Sequence, residues 1–257
     1  MSEDILETLR CIGLRAPRDA LDALFAHGTK SRLSPVEFVE QVVALELRER
    51  ETRNLARRTK EATLGRFAPL DRFDWNHPRA IERDRYEQLL TLGFIATGDN
   101  VLFRGPSGVG KTTLAQNLAQ CALEKGYTVR FCTLGAALAD LLKQDSLPGV
   151  ERRLKRYVSP DLLVLDEIGY LPCDSRSADL FYNIVSRRHE KKSTVITTNL
   201  AFKQWNTVFP GAACVVALVD RFAQHCHVLD IDADSWRQRR PEPPPAAAAA
   251  KIKRASP

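Results

Sequence analysis

Gly105-Pro106-Ser107-Gly108-Val109-Gly110-Lys111-Thr112 fills every fixed position of the pattern G-x-x-x-x-G-K-[ST]. Glycines so placed let successive backbone N–H groups turn inward around phosphate oxygens, and a helix starting there adds its positive dipole end. Lys111 then reaches toward β- and γ-phosphates, Thr112 offers a hydroxyl to Mg2+, and Thr113 closes a candidate ATP-binding run. Farther along, Leu162-Leu163-Val164-Leu165 ends in Asp166-Glu167. At the carboxyl edge of a buried strand, Asp166 is suited to bind Mg2+ through its water shell, and Glu167 to polarise the water that attacks a γ-phosphate. The plain alternative is a pair that caps the next turn. A small-molecule kinase must exclude water and has no need of that glutamate, so the pair favours hydrolysis. The apolar run Thr194–Thr198 ends in Asn199, whose amide can orient the attacking water; a strand-ending turn residue is the other reading.

The elements that would position these residues are legible in the pattern. Val101-Leu102-Phe103 reads as a strand before the glycine loop, and Leu114, Leu118, Cys121 and Ala122 give the following helix an apolar face. With Thr128–Leu134, Leu162–Leu165, Thr194–Thr197 and Val228–Ile231, short strands alternate with helices from Asn100 to Asp232. That alternation predicts an α/β fold with a parallel sheet covered on both faces. Residues 1–66 read as a small all-helical region. In it Ser34-Pro35-Val36-Glu37 forms a capping box that opens a helix with Phe38, Val42 and Leu45 on one face. Residues 67–99 supply a connector and a helix around Ile81–Ile95, so that 67–240 form the nucleotide domain. The Pro/Ala-rich tail, 241–257, reads as disordered.

Composition bounds the setting. With 44% hydrophobic and 27% charged residues the chain supports a buried core, and its net charge of +6 favours an acidic partner, nucleic acid first. Six cysteines lie scattered without a C-x-x-C pair, and His225-Cys226-His227 reads as part of a strand rather than a metal cluster. With neither a cationic–apolar leader nor a membrane-length apolar window, the expectation is a soluble, cytoplasmic protein in a reducing compartment.

The order of these motifs resembles the AAA+ ATPases of the IstB type, the ATP-binding helper proteins of two-gene insertion sequences, with the DnaC helicase loaders as close relatives. The resemblance runs from about Leu6 to Arg240. It is strongest in Asn100–Thr112, in Asp166-Glu167-Ile168-Gly169-Tyr170-Leu171-Pro172, in Ser193–Asn199 and in Val219-Asp220-Arg221-Phe222 followed by His225–Val228. It implies a AAA+ core in which Asn199 is the first sensor and Arg221 is an arginine finger for ATP bound by a neighbouring subunit. Arg237 is implied as the second sensor, although Ala233, Asp234 and Trp236 depart from the family's Gly-Glu-Ser-Tyr-Arg run. A finger acting across an interface implies a homo-oligomer whose assembly ATP promotes.

The basic end of the long N-terminal helix carries Arg50, Arg53, Arg57 and Lys60 three or four residues apart, with Arg58 beside them. A solvated helix face is the plain reading. Within the resemblance, the expectation is contact with duplex DNA phosphates, largely independent of sequence. The leading functional expectation is therefore an ATPase that assembles on DNA and directs a partner transposase. A helicase loader and an ATP-stabilised scaffold with little hydrolysis are the alternatives.

Overall fold

The computed structural model describes residues 3–169 and 174–236. The motif residues Tyr170–Pro172, the candidate second sensor Arg237 and the tail at 241–257 lie outside the described residues.

Three helices open the chain: α1 (Glu3–Cys11), α2 (Arg18–Ser31) and α3 (Pro35–Ala62). Ser34 caps α3 as its sequence requires: its hydroxyl accepts from the Glu37 N–H, while the Glu37 carboxylate accepts from the Ser34 N–H at 2.8 Å. A small core of Leu6, Ala16 and Leu21 joins these helices, with Leu45 packed against it. Phe38 meets Phe25 edge-on, ring centres 5.0 Å apart. The far end of α3 leaves this cluster. Leu55, Ala62 and Leu64 pack into the main core, so α3 runs from the helical region onto the flank of the sheet.

After the connector come β1 (Ala80–Ile81), α4 (Arg83–Leu89), α5 (Gly93–Thr97), β2 (Asn100–Arg104), α6 (Lys111–Glu124), β3 (Val129–Thr133), α7 (Leu134–Leu142) and α8 (Leu147–Val158). Then follow β4 (Leu162–Ile168), α9 (Ser175–Arg188), β5 (Ser193–Thr198), α10 (Trp205–Val208), α11 (Val215–Ala223) and β6 (Cys226–Asp232). The sheet order is β1-β6-β2-β5-β4-β3, all parallel except β1 against β6. Strand alternation divides the core. Val101, Phe103, Leu162, Val164 and Val195 turn toward α6, whereas Leu102, Leu163, Leu165 and Ile196 turn toward α7, α9 and α11.

Two expectations need correction. The continuous helix around Ile81–Ile95 is two short helices, because Leu92 adopts a left-handed conformation (φ 65°) between them. That break lets Leu89, Leu92, Phe94 and Ile95 all enter the core, where one straight helix would carry some of them to the surface. The connector also holds an unexpected strand: β1 pairs with β6, and the Arg79 N–H donates to the Asp232 carbonyl at 2.7 Å. Two residues are too few to show an alternating pattern in sequence.

Arg188 is 1% exposed, and its guanidinium donates to the carbonyls of Tyr157, Val158, Pro160, Asp161 and Ser193. Burial pulls it down to about 9, so it stays charged at neutral pH. This one side chain binds the α8–β4 turn to the start of β5.

Candidate ATP-binding site

The site forms at the carboxyl ends of β2, β4 and β5, beside the place where the chain order reverses across the sheet. At its root, Arg104 forks onto Asp230 of β6 at 2.5 and 2.6 Å, a pairing that holds the guanidinium above its ordinary range. Gly105 follows at a point where a Cβ would meet the Ile231 carbonyl oxygen at 2.2 Å. Gly110, at φ 98°, packs against Phe73, whose ring would lie 2.6 Å from a Cβ there. A Cβ at Gly105 would strike β6 and one at Gly110 would sit at a strained positive φ, so these two glycines let the loop Gly105, Pro106, Ser107, Gly108, Val109 and Gly110 keep its tight path between β2 and the cavity. Lys111 opens α6, and its Nζ donates to the Gly105 and Pro106 carbonyls at 2.8 and 2.6 Å. The ammonium thus rests at the mouth of its own loop.

The Thr112 hydroxyl donates to the Asp166 carboxylate, 3.0 and 3.1 Å from its two oxygens. Asp166 is 4% exposed and also accepts from the Thr197 hydroxyl of β5. That hydroxyl accepts in turn from the Glu167 N–H at 3.0 Å. A β-bulge makes this possible: Leu165 pairs with Ile196 and Ile168 with Thr198, so three steps along β4 oppose two along β5. Glu167 takes a left-handed conformation (φ 62°), and its side chain turns out into the cavity while Asp166 turns in. A glutamate held in that conformation costs of order 1–3 kcal/mol and persists where its surroundings enforce it.

One cavity of about 280 Å3 gathers Ser107–Thr113, Glu167 and Asn199. Asn199 sits just past β5, where the Thr198 hydroxyl donates to the Ile168 carbonyl and accepts from the Leu200 N–H, fixing the turn. The opposite wall was not foreseen from the sequence. Arg72, Phe73, Asp74 and His77 of the connector and Trp236 near the chain's end complete it. His77 Nε2 donates to the Asp234 carbonyl at 2.9 Å, its ring meets Trp236 edge-on at 4.8 Å, and the Trp236 N–H donates to the Gly108 carbonyl. Gln116 and Asn117 of α6 donate to the Leu64 and Ala68 carbonyls, which ties the connector to the phosphate-loop helix. The one sequence signal for this wall was the density of aromatic residues in a segment with no amphipathic period.

Other expected residues lie elsewhere. Arg221 lies in the last turn of α11 and donates to the Tyr182 hydroxyl and, at 2.5 Å, to the Ser186 hydroxyl, with its guanidinium 4.9 Å from the Tyr182 ring centre. It does not line the cavity. On α3 the five basic residues do not form one open face. Arg50 donates to the Gly13 carbonyl, and Arg53 donates to the Arg15 carbonyl and to Glu46. Burial works against the Glu46 carboxylate, yet the Arg15 N–H and the Arg53 guanidinium hold it below its usual range. Arg58 points inward, 11% exposed, and donates to the Leu123 carbonyl of α6. Only Arg57 and Lys60 of the five are exposed without a protein hydrogen bond or ion pair among the described residues. Helical spacing gives the face but not the acceptors that a neighbouring loop brings. His225 and His227 approach different carboxylates, Glu190 at 4.0 Å and Asp99 at 3.5 Å.

The sequence profile of the IstB-like ATP binding protein family matches residues 7–242. The chain belongs to that family. An ATP-binding protein of insertion sequence IS21 from Pseudomonas aeruginosa is 34% identical over 217 residues, covering 84% of this chain and 82% of its own. That of insertion sequence IS5376 from Geobacillus stearothermophilus is 29% identical over 239 residues, 93% and 95% of the two chains. Among solved structures, the DnaC helicase loader covers 64% of this chain and 97% of its own at a TM-score of 0.51 and 23% identity. The replication initiator DnaA bound to AMPPCP and single-stranded DNA covers 67% and 52% at 0.56 and 20%. At such identities the structural likeness is one of fold, the AAA+ α/β architecture. In this IstB-family chain, the backbone of Gly108 and Gly110 in the cavity lining suits a phosphate chain. The adjoining hard oxygens of Thr112 and Asp166 suit Mg2+, which takes one or two protein ligands beside substrate phosphates. Among the described residues no helix is long and apolar enough to cross a membrane.

Proposed function

We propose that this IstB-family chain hydrolyses ATP, assembles as a homo-oligomer on duplex DNA and directs a partner transposase to its target. The observation that supports the hydrolytic part of the reading is the chain of contacts Thr112–Asp166–Thr197–Glu167, which ties a phosphate-loop hydroxyl to a carboxylate pair in one bulged strand end. In this reading the N–H groups of 105–113 hold the ATP phosphates, and Lys111 swings from its loop carbonyls to the β- and γ-oxygens. Mg2+ bound by Thr112 and by Asp166 through water neutralises phosphate charge. Glu167 orients and polarises the attacking water, and Asn199 holds it in line. Arg221, which does not line this cavity, completes a neighbour's site, and the family resemblance implies Arg237 as the second sensor. An interfacial arginine contributes about 10³–10⁵ in rate in known nucleotide hydrolases.

The insertion-sequence relatives span nearly the whole chain, whereas the helicase-loader likeness is confined to fold, and that favours the transposition reading. The test is specific activity against protein concentration, with and without duplex DNA, alongside sizing of the complexes. Hydrolysis per subunit should rise steeply as ATP-dependent assemblies form and should rise further with DNA. Activity strictly proportional to protein down to a monomer would remove the interfacial finger, and indifference to DNA would move the loader reading forward.

A further inference from the structure

On the flank opposite β1, a second cavity of about 470 Å3 opens between the end of α3, the edge strand β3 and the last turn of α8. Its lining is strongly cationic: Arg58 and Lys60 of α3, Arg130 of β3, and Lys155 and Arg156 of α8, against the single carboxylate of Glu61. Two of these guanidinium groups are incompletely satisfied by the protein. The Nε of Arg58 and the Nε of Arg130 are enclosed and make no hydrogen bond. Arg58 donates through Nη2 alone, and Arg130 reaches the Glu61 carbonyl through Nη1. Those two Nε atoms are closed to any ligand in the cavity, so what the cavity offers an anion is five clustered cations against one carboxylate, whose mutual repulsion a seated anion relieves.

The walls are held by hydrogen bonds. Arg188 clamps the carbonyls of Tyr157, Val158 and Pro160 at the end of α8, and Asp161 accepts from the N–H and hydroxyl of Thr128 at the start of β3. Burial opposes the Asp161 charge, but those two Thr128 contacts and Lys192 keep its carboxyl below the ordinary range, so Asp161 is committed to the wall. The exposed side chains of Lys60 and then Arg57, one helical step apart on α3, lead out of the cavity along the surface.

We propose that this cavity seats a backbone phosphate of DNA, with Lys60, Lys155, Arg130 and Arg58 as its cationic wall and Arg57 on the next phosphate. The assignment rests on the DNA-binding reading above and moves the principal contact from the Arg50–Arg53 stretch to the junction of α3 with the ATPase core. A junction contact also links the two parts of the chain through one ligand. The choice of a nucleic-acid strand over an acidic peptide follows from the chain's net charge of +6 and the DNA-binding reading above.

The experiment uses full-length protein and labelled duplex DNA, with affinity measured across a salt series. Replacing exposed residues keeps the fold intact, which unchanged melting temperature verifies. Lys60→Ala combined with Lys155→Ala should make the dependence of log K on log salt shallower by about 1.8 units, some 0.9 per lost contact on duplex DNA. A charge-matched control, Lys30→Ala with Lys203→Ala, should leave the slope unchanged. An unaltered slope in the first variant, or an equal fall in both, overturns the site while leaving DNA binding standing. Failure of wild type to bind DNA at all removes the DNA reading and the site together. Unchanged DNA binding with loss of affinity for polyglutamate would reassign the cavity to carboxylates and overturn the phosphate assignment.

Discussion

The carboxyl edge of the sheet and the basic stretch of α3 carry their charged residues in opposite ways. At the edge, every polar group has a role dictated by the backbone next to it. The bulge in β4 turns Asp166 in and Glu167 out, and a single Thr197 hydroxyl serves both. On α3, residues of the same type a turn apart have different roles: Arg53 stitches α3 to the loop before α2, Arg58 reaches α6, and Arg57 stands in solvent. Charge embedded in strand-end geometry can be assigned from local sequence. Charge on a helix face can be assigned only once its neighbours are known.

That contrast can be strained first where the effect is largest. Glu167→Gln should reduce the rate of ATP hydrolysis by about 10²–10⁴-fold with nucleotide affinity retained, as steady-state kinetics and a nucleotide-binding titration would show. A loss confined to affinity would mean that Glu167 positions phosphate rather than water. Arg188→Leu removes the donor shared by several buried carbonyls and should lower unfolding free energy by about 3–5 kcal/mol in denaturant titration. Thr197→Val leaves the Glu167 N–H without its acceptor and Asp166 without one donor. It should cost about 1–3 kcal/mol of stability and slow hydrolysis without abolishing it.

On the α3 side the effects are smaller. The folded-state pKa of Glu46 is depressed, so its contribution is present above the unperturbed value of 4.5 and is lost as pH falls through the folded value. Wild type should therefore be more stable than Glu46→Gln at neutral pH, and the gap should narrow below about pH 4.5 in urea titrations at stepped pH. Smallest of all, Arg57→Ala should leave stability within about 0.5 kcal/mol while making the duplex-DNA salt slope shallower by about 0.9 units. Arg53→Ala should do the reverse, losing stability through its broken contact with Glu46. Equal behaviour of the two variants would erase the distinction between stitched and open arginines.

The same contrast explains what the sequence disclosed. Five parallel strands and the capped start of α3 were legible because alternation and capping are local properties, and the glycine loop advertised itself by fixed spacing. The break at Leu92 was not legible, since a leucine in a left-handed conformation is chosen by the core it fills rather than by its own preference. Thr197 reads as one more apolar-strand threonine until β4 is placed beside it. The wall made by Phe73, His77 and Trp236 joins residues from distant parts of the chain, which β1 helps bring together by pairing the connector with β6.

The most direct test of the central claim is single-turnover ATP hydrolysis by wild type and Glu167→Gln, each assembled with ATP on duplex DNA. The account predicts that both proteins form ATP-dependent assemblies of the same size, and that only wild type converts the bound ATP to ADP. Equal conversion by the two proteins would contradict it, because the carboxylate placed by the β4 bulge would then have no part in the chemistry.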